Sequence, residues 1–360
     1  MPSGRTRIAF TGAALMLLLA GCGAPSADVA RPSTSATPHA SPVAAATPSV
    51  RVPLACGDLA DAAELDASAG SALTTVDPSI AAPADLESTA ATQFGALDCA
   101  WSTRPLAIDL PVPVVTITVV PDVGAQRWAE FVSARGDDAA RGGDYGAESF
   151  VACAPTRFDG STCVLDNLVG EYWLRVLVST PDSSASLAST AAVFDRATDA
   201  VRAIAEPAAP RWVSEHSDAS RLDSATVSAA IAASGRFEPQ QQTVTPQFGT
   251  TWLSMAETDA TSTLYSGTGA ADGAPVEFEL QVLPSGAWAF AGLGRAGGDG
   301  VPVDGLGDAA AAYPSPDGTA VIFAMGDDLV LLDVFGSPSA DGSDTVRAIA
   351  TAEDVAALFG

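Results

Sequence analysis

Two segments of this chain alternate in side-chain character over the length of a β-strand, and both run directly into proline. Val114-Val115-Thr116-Ile117-Thr118-Val119-Val120 meets Pro121, and Val276-Glu277-Phe278-Glu279-Leu280-Gln281-Val282-Leu283 meets Pro284. A period of two places Val115, Ile117 and Val119 on one face of the first, and Val276, Phe278, Leu280 and Val282 on one face of the second. Glu277, Glu279 and Gln281 then point outward. Each strand is therefore half-buried and needs a partner layer.

The surroundings of the two strands also correspond. Aromatic stretches follow both prolines, with Trp128, Phe131 and Val132 after the first and Trp288 and Phe290 after the second, and both are expected to be helical. Further on, Cys163 to Val178 and Thr319 to Val334 each hold two apolar runs around a glycine-acid pair, Gly170-Glu171 and Gly326-Asp327. Such a pair marks a tight antiparallel hairpin, because glycine accepts the positive φ that the turn demands. Phe194, Ala197, Val201 and Ile204 recur at helical spacing before Pro207, as do Val346, Ile349, Val355 and Leu358 before the C-terminus. Opening helices complete the unit, one around Leu59 and Ala63 and one through Val227 and Ile231, capped by Asp223 or Ser224 and ended by Gly235. The expected fold is α+β with antiparallel sheets: two tandem repeats of helix, strand pair, helix, β-hairpin, helix, over 51–207 and 208–360.

Composition removes whole classes of chemistry. All 17 cationic side chains are arginine, so no lysine is present for a phosphate loop, a Schiff base or a Ser-x-x-Lys centre. His39 and His216 are the only histidines, too few for a three-histidine zinc site and too far apart in sequence for a His-Glu-x-x-His helix. A formal charge of −26 argues against nucleic acid, whose affinity for proteins comes from clustered cations. No cofactor and no metal ligand set is expected.

The N-terminus indicates the compartment. Arg5 and Arg7 precede an apolar run from Ile8 to Ala20, which is shorter than the roughly 20 residues needed to span a bilayer. Leu19-Ala20-Gly21-Cys22 resembles the bacterial lipobox, which implies that residues 1–21 are a signal peptide and that Cys22 carries the lipid. Acyl chains, at about 0.8 kcal/mol per buried CH₂, would anchor the chain to the cell membrane on its extracytoplasmic face. Removal of residues 1–21 takes two arginines and no acid, leaving a chain two charges more acidic. Residues 22–50, with five prolines among Ser, Thr and Ala, read as a disordered tether.

Lipidation of Cys22 leaves Cys56, Cys99, Cys153 and Cys163, an even number in a disulfide-permissive compartment. Four cysteines allow three pairings and spacing does not choose among them; Cys56 with Cys99 and Cys153 with Cys163 is the favoured set. All four lie in the first half, so the second must hold by packing alone.

Several motifs carry little. Gly292-Leu293-Gly294-Arg295-Ala296-Gly297 spells a dinucleotide fingerprint, yet it leaves a helix instead of joining a strand to one. Arg135-Gly136-Asp137 is an isolated adhesion triplet, and the acids at 299, 304, 308, 341 and 344 lack calcium-loop spacing. Trp101, Trp128, Trp173, Trp252 and Trp288 fall on or beside apolar periodic segments and read as core. Together, the lipobox, the Pro/Ser/Ala/Thr tether and the Cys56-Gly57-Asp58-Leu59 opening with Leu97-Asp98-Cys99-Ala100-Trp101 resemble actinobacterial cell-surface lipoproteins of uncharacterised function with sensor-like extracellular modules. The resemblance implies a non-catalytic binding protein for an envelope ligand or partner and supplies no catalytic residues. The alternative is a cell-envelope glycan hydrolase that uses two of the 43 acids.

Overall fold

A computed structural model describes residues 43–44, 47–76, 86–103, 113–135, 145–146, 148–155, 160–182, 185–214, 222–239, 250–268, 273–291, 300–315, 318–336 and 342–359. Residues 40–360 form one compact unit, an α+β structure with two antiparallel sheets. The signal segment, Cys22, His39, His216, the Gly292–Gly297 fingerprint, Gly136, Asp137, Asp299 and Asp341 lie outside the described residues.

Helices α1 (Cys56–Leu59) and α2 (Ala62–Ala69) come first, after a two-residue strand β1 (Val43–Ala44). Then follow β2 (Thr74–Val76), α3 (Leu86–Phe94), β3 (Leu97–Ser102), β4 (Val114–Val120), α4 (Ala125–Arg135), β5 (Ser149–Pro155), β6 (Ser161–Val169), β7 (Tyr172–Thr180) and α5 (Leu187–Arg202). These strands, β1 apart, make a six-stranded sheet in the order β2-β3-β4-β7-β6-β5. Strand β8 (Trp212–Val213) leads to α6 (Ser224–Ser234), β9 (Phe237–Pro239), α7 (Thr250–Glu257), β10 (Thr261–Thr268) and β11 (Pro275–Leu283). A 3-10 turn at Ala287–Ala289 precedes β12 (Val301–Pro302), β13 (Ala309–Ser315), β14 (Gly318–Met325), β15 (Asp328–Phe335) and α8 (Ser343–Ala356). The second sheet has seven strands in the order β12-β13-β14-β15-β11-β10-β9.

Four apolar clusters show how the layers stack. On the outer face of the first sheet, Val115, Ile117 and Val119 of β4 pack with Leu65 of α2 and Val193, Phe194 and Val201 of α5. On the outer face of the second, Phe278, Leu280 and Val282 of β11 pack with Ile231 of α6 and Ala348 and Val355 of α8. The opposite faces are joined by two helices that share their side chains between sheets. Helix α3 gives Leu86 and Ala90 to the cluster on the second sheet, and Ala91 and Phe94 to the cluster on the first. Helix α7 does the same with Met255 and Leu253. The two helices also pack on each other, so they form a middle layer belonging to both halves. At about 1.5–3 kcal/mol per fully buried large apolar side chain, this shared layer is a major part of what holds the halves together.

That layer explains one departure from the alternation pattern. Gln281 leaves the strand on the side away from Phe278 and Leu280, but that side is covered, and its Oε1 accepts the Leu86 N–H at 3.3 Å. Two turns show matching backbone solutions. Asp122 follows Pro121 with φ 59°, and Ser285 follows Pro284 with φ 57°. The neighbouring amides then reach the hairpin tips: Val123 N–H donates to Glu171 O at 2.8 Å and Ala287 N–H donates to Asp327 O at 2.8 Å. The tips turn at Gly170 and Gly326, with φ 63° and 61°.

Two disulfides link Cys56 to Cys99 and Cys153 to Cys163. The first ties α1 to β3; the second joins directly opposed residues of β5 and β6, with Cα atoms 4.0 Å apart. No helix among the described residues is long and apolar enough to cross a membrane.

Candidate functional site

The ends of several elements converge on a cavity of about 330 Å³ at the seam between the two sheets. Gln93 comes from α3, Arg211 to Ser214 from β8 and its flanks, and Asp223 from the start of α6. Glu257, Thr258 and Asp259 come from the end of α7, and Pro284 and Ser285 from the turn after β11. The lining therefore draws on both halves and on the linker between them. Its volume lies at the lower end of the range for small-molecule sites.

Buried and partly buried hydrogen bonds hold the walls in place. Gln93 spends its whole amide on the second half: Nε2 donates to Pro284 O at 2.9 Å, and Oε1 accepts the Trp288 indole N–H at 3.1 Å. Asp328, buried at the start of β15, accepts Ser285 N–H at 2.9 Å on one oxygen and Leu222 N–H at 3.0 Å on the other. It thereby fixes both the Ser285 turn and the approach to Asp223. Thr258 Oγ1 donates to Ser254 O at 2.8 Å, which closes the last turn of α7.

The charged groups form a network. Glu257 faces Arg127 at 3.1 Å and Arg211 at 3.5 Å, while Arg127 also pairs with Glu130. The Arg127 pKa is raised, first by its hydrogen bond to Glu130 and, against some desolvation, by the charges of Glu257 and Glu130. Arg211 lies over the Phe94 ring, 5.0 Å from its centroid, and Arg51 lies 5.8 Å from the same ring. Arg51 is itself nearly enclosed, donating to Ala209 O at 2.6 Å and to Phe94 O, and pairing with Asp122. Gly95 makes room for it: at φ 90°, a Cβ there would collide with Arg51 Cδ.

Asp223 caps α6 by accepting Thr226 N–H at 2.8 Å, and that backbone hydrogen bond holds its carboxyl below the usual range. This is the wrong direction for a general acid, which must stay protonated near neutral pH. Glu257 is committed to two arginines. Asp259, at φ 55°, is exposed at the cavity rim, as is Asp223. Ser214, Thr258 and Ser285 supply hydroxyls, and no histidine stands among the lining residues to activate them. Among the described residues, no group of three or more His, Cys, Asp or Glu side chains gathers as a metal site.

The residues singled out by motif lie elsewhere. Asp304 is exposed, Asp308 accepts Gly326 N–H at 2.7 Å beside a hairpin tip, and Asp344 pairs with Arg347 at 3.8 Å within α8. Trp101, Trp128 and Trp173 are buried, and Trp288 is half-buried. The cavity instead uses Trp212, the tryptophan that lies outside the apolar periodic segments. An isolated Arg-Trp pair directly after Pro210, where the halves join, was the available sequence signal for it. Compared with known proteins, the chain matches no family model, no curated protein and no solved structure.

Proposed function

We propose that this chain is an extracytoplasmic protein anchored through a lipid on Cys22, and that it binds a small polar ligand or an envelope partner in the cavity without transforming it. The cavity itself carries this reading: both halves build it, its walls are polar, and most of its titratable groups are already committed to one another or to backbone. A site that presents hydrogen-bonding walls, with no activated nucleophile and no raised acid at Asp223, is suited to holding a ligand. Anchoring rests on the lipobox-like Leu19-Ala20-Gly21-Cys22.

The architecture is read as two tandem repeats, 51–207 and 208–360. Support comes from the strand orders β2-β3-β4-β7-β6-β5 and β9-β10-β11-β15-β14-β13, which run in the same sense with β12 added to the second. The paired Pro121-Asp122 and Pro284-Ser285 turns support it equally.

The competing reading, a glycan hydrolase with paired carboxylates, draws on Asp223, Glu257 and Asp259 standing beside Trp212. Incubation of the purified full chain with cell-wall glycan separates the two. The binding reading expects retention of ligand and no release of reducing ends. Turnover that disappears in Glu257→Gln or Asp259→Asn would establish the hydrolase instead.

A further inference from the structure

Strand β8 is paired outside either large sheet. Val43 and Ala44 lie parallel to Trp212 and Val213, forming a two-stranded sheet of their own. Trp212 and Val213 are also cavity wall. Part of the segment read as a tether is thus laid as a strand along a segment that lines the cavity.

Two attachments hold this part of the chain, and they differ greatly in strength. At Arg51 the backbone donates to Gly95 O at 2.9 Å and accepts Ala209 N–H at 3.0 Å, while the guanidinium binds Ala209 O, Phe94 O and Asp122. Arg51 is 5 % exposed. Among the described residues, the β1–β8 pairing has two residues per strand and no third strand, so it is the weaker of the two attachments. Opening it leaves the pin at Arg51 intact and so does not require the fold to loosen. What opening uncovers is a strand edge, a template for an extended peptide.

We propose that β8 is a strand-addition site on the cavity wall, and that the chain's own Val43–Ala44 is its resident occupant, a latch that can leave and return. The occupant it holds, Val43-Ala44, is uncharged, and the pairing is made by the backbone. Affinity comes from the backbone, so a free peptide of the same composition fits wherever the latch has left. This proposal concerns the linker strand and needs no assignment of the cavity's ligand. On the anchored reading, release of Val43 to Val50 lengthens the tether by roughly 25 Å at polyproline extension.

The test uses the full chain and its Val43→Pro/Ala44→Pro variant, which removes both latch N–H groups. Hydrogen exchange is read at the Trp212 to Ser214 amides, and anisotropy is read with a labelled synthetic peptide spanning residues 40–47. The expected result is at least tenfold faster exchange in the variant at an unchanged melting temperature, with peptide binding at least tenfold tighter than to the parent chain. Equal exchange in the two chains, or a peptide that the variant ignores as the parent does, would overturn the proposal. A second variant, Ala44→Cys/Val213→Cys, guards against a folding artefact. It is expected to cross-link spontaneously and to reject the peptide until reduced, whereas failure to cross-link would contradict the latch.

Discussion

The two halves reach the same strand order by different means. The first is fastened by two disulfides and fills its inner face with Trp128, Phe131, Phe150 and Trp173, whose rings stand 4.3 to 6.0 Å apart. The second has no cysteine and fills its own inner face with Leu283, Ala311, Tyr313, Ile322, Leu329 and Leu331. Buried carboxylates differ in the same way. Asp166 in the first half accepts the Trp173 indole N–H at 3.0 Å and faces Arg175 at 3.6 Å, whereas Asp328 in the second holds two backbone amides. The lesson is that the topology tolerates either staples and aromatics or aliphatic packing, provided that α3 and α7 are shared between the halves.

The sharing gives the strongest way to break this comparison. Trp173→Ala removes the centre of the aromatic layer on which α3 and α7 rest and is expected to cost about 3–5 kcal/mol. Because those helices also cover the second sheet, denaturation followed by probes in each half should show one coincident transition moved to lower denaturant. A second half that melts unchanged would mean that the halves are independent.

Next in size are the staples. On chain-entropy grounds, Cys56→Ala/Cys99→Ala is expected to lose about 4 kcal/mol and Cys153→Ala/Cys163→Ala about 3 kcal/mol. Thermal melts with and without reductant check this, and the reversed order would show that loop length is not what the bridges act on.

Smaller effects are expected from the acids. Asp166→Ala leaves an indole N–H and a partly exposed arginine without their acceptor, at about 2–3 kcal/mol, and Asp328→Ala leaves two amides, at about 1–3 kcal/mol. The distinguishing measurement is hydrogen exchange around Ser285 and Leu222, which Asp328→Ala should accelerate and Asp166→Ala should leave alone.

The smallest effect is read by alkaline titration. Burial raises the phenol pKa of Tyr172, Tyr265 and Tyr313 above the ordinary value near 10, and Asp122 and Glu171 add to the rise at Tyr172. A raised folded-state pKa favours the neutral phenol, so its contribution to stability is complete below pH 10 and is lost as pH climbs through the folded value. Tyrosinate absorbance should therefore lag free tyrosine in both halves and catch up when urea unfolds the chain.

Much of this was legible in the sequence where one element reports on itself. The alternation at Val114–Val120 and Pro275–Leu283, the hairpin glycines and the Asp223 cap each have a local cause, and each element is present. The middle layer was not legible. Leu86–Phe94 reads Leu-Glu-Ser-Thr-Ala-Ala-Thr-Gln-Phe, and a helix that gives small residues to two sheets has no single apolar stripe to announce it. The third strands β5 and β13 were missed because their composition is close to that of a loop: β13 opens on four alanines, and half of β5 is exposed. The aromatic stretch after Pro284 is helical as expected, with a 3-10 turn at Ala287–Ala289 that passes into α-helix at Phe290 and Ala291, where the described residues end. The cavity was invisible for a further reason. Gln93, Arg211, Glu257 and Ser285 lie at element ends far apart in the chain, and only the crossing of α3 and α7 between the sheets unites them.

The central functional claim is an anchored protein that holds its ligand in that cavity. Native mass spectrometry of the full chain, extracted from the membranes of the cells that make it, tests it most directly. The account predicts a polypeptide beginning at an acylated Cys22, with a bound small-molecule mass that is lost on Arg211→Ala together with Asp259→Asn. A polypeptide without acyl chains, or a bound mass indifferent to those substitutions, would contradict it.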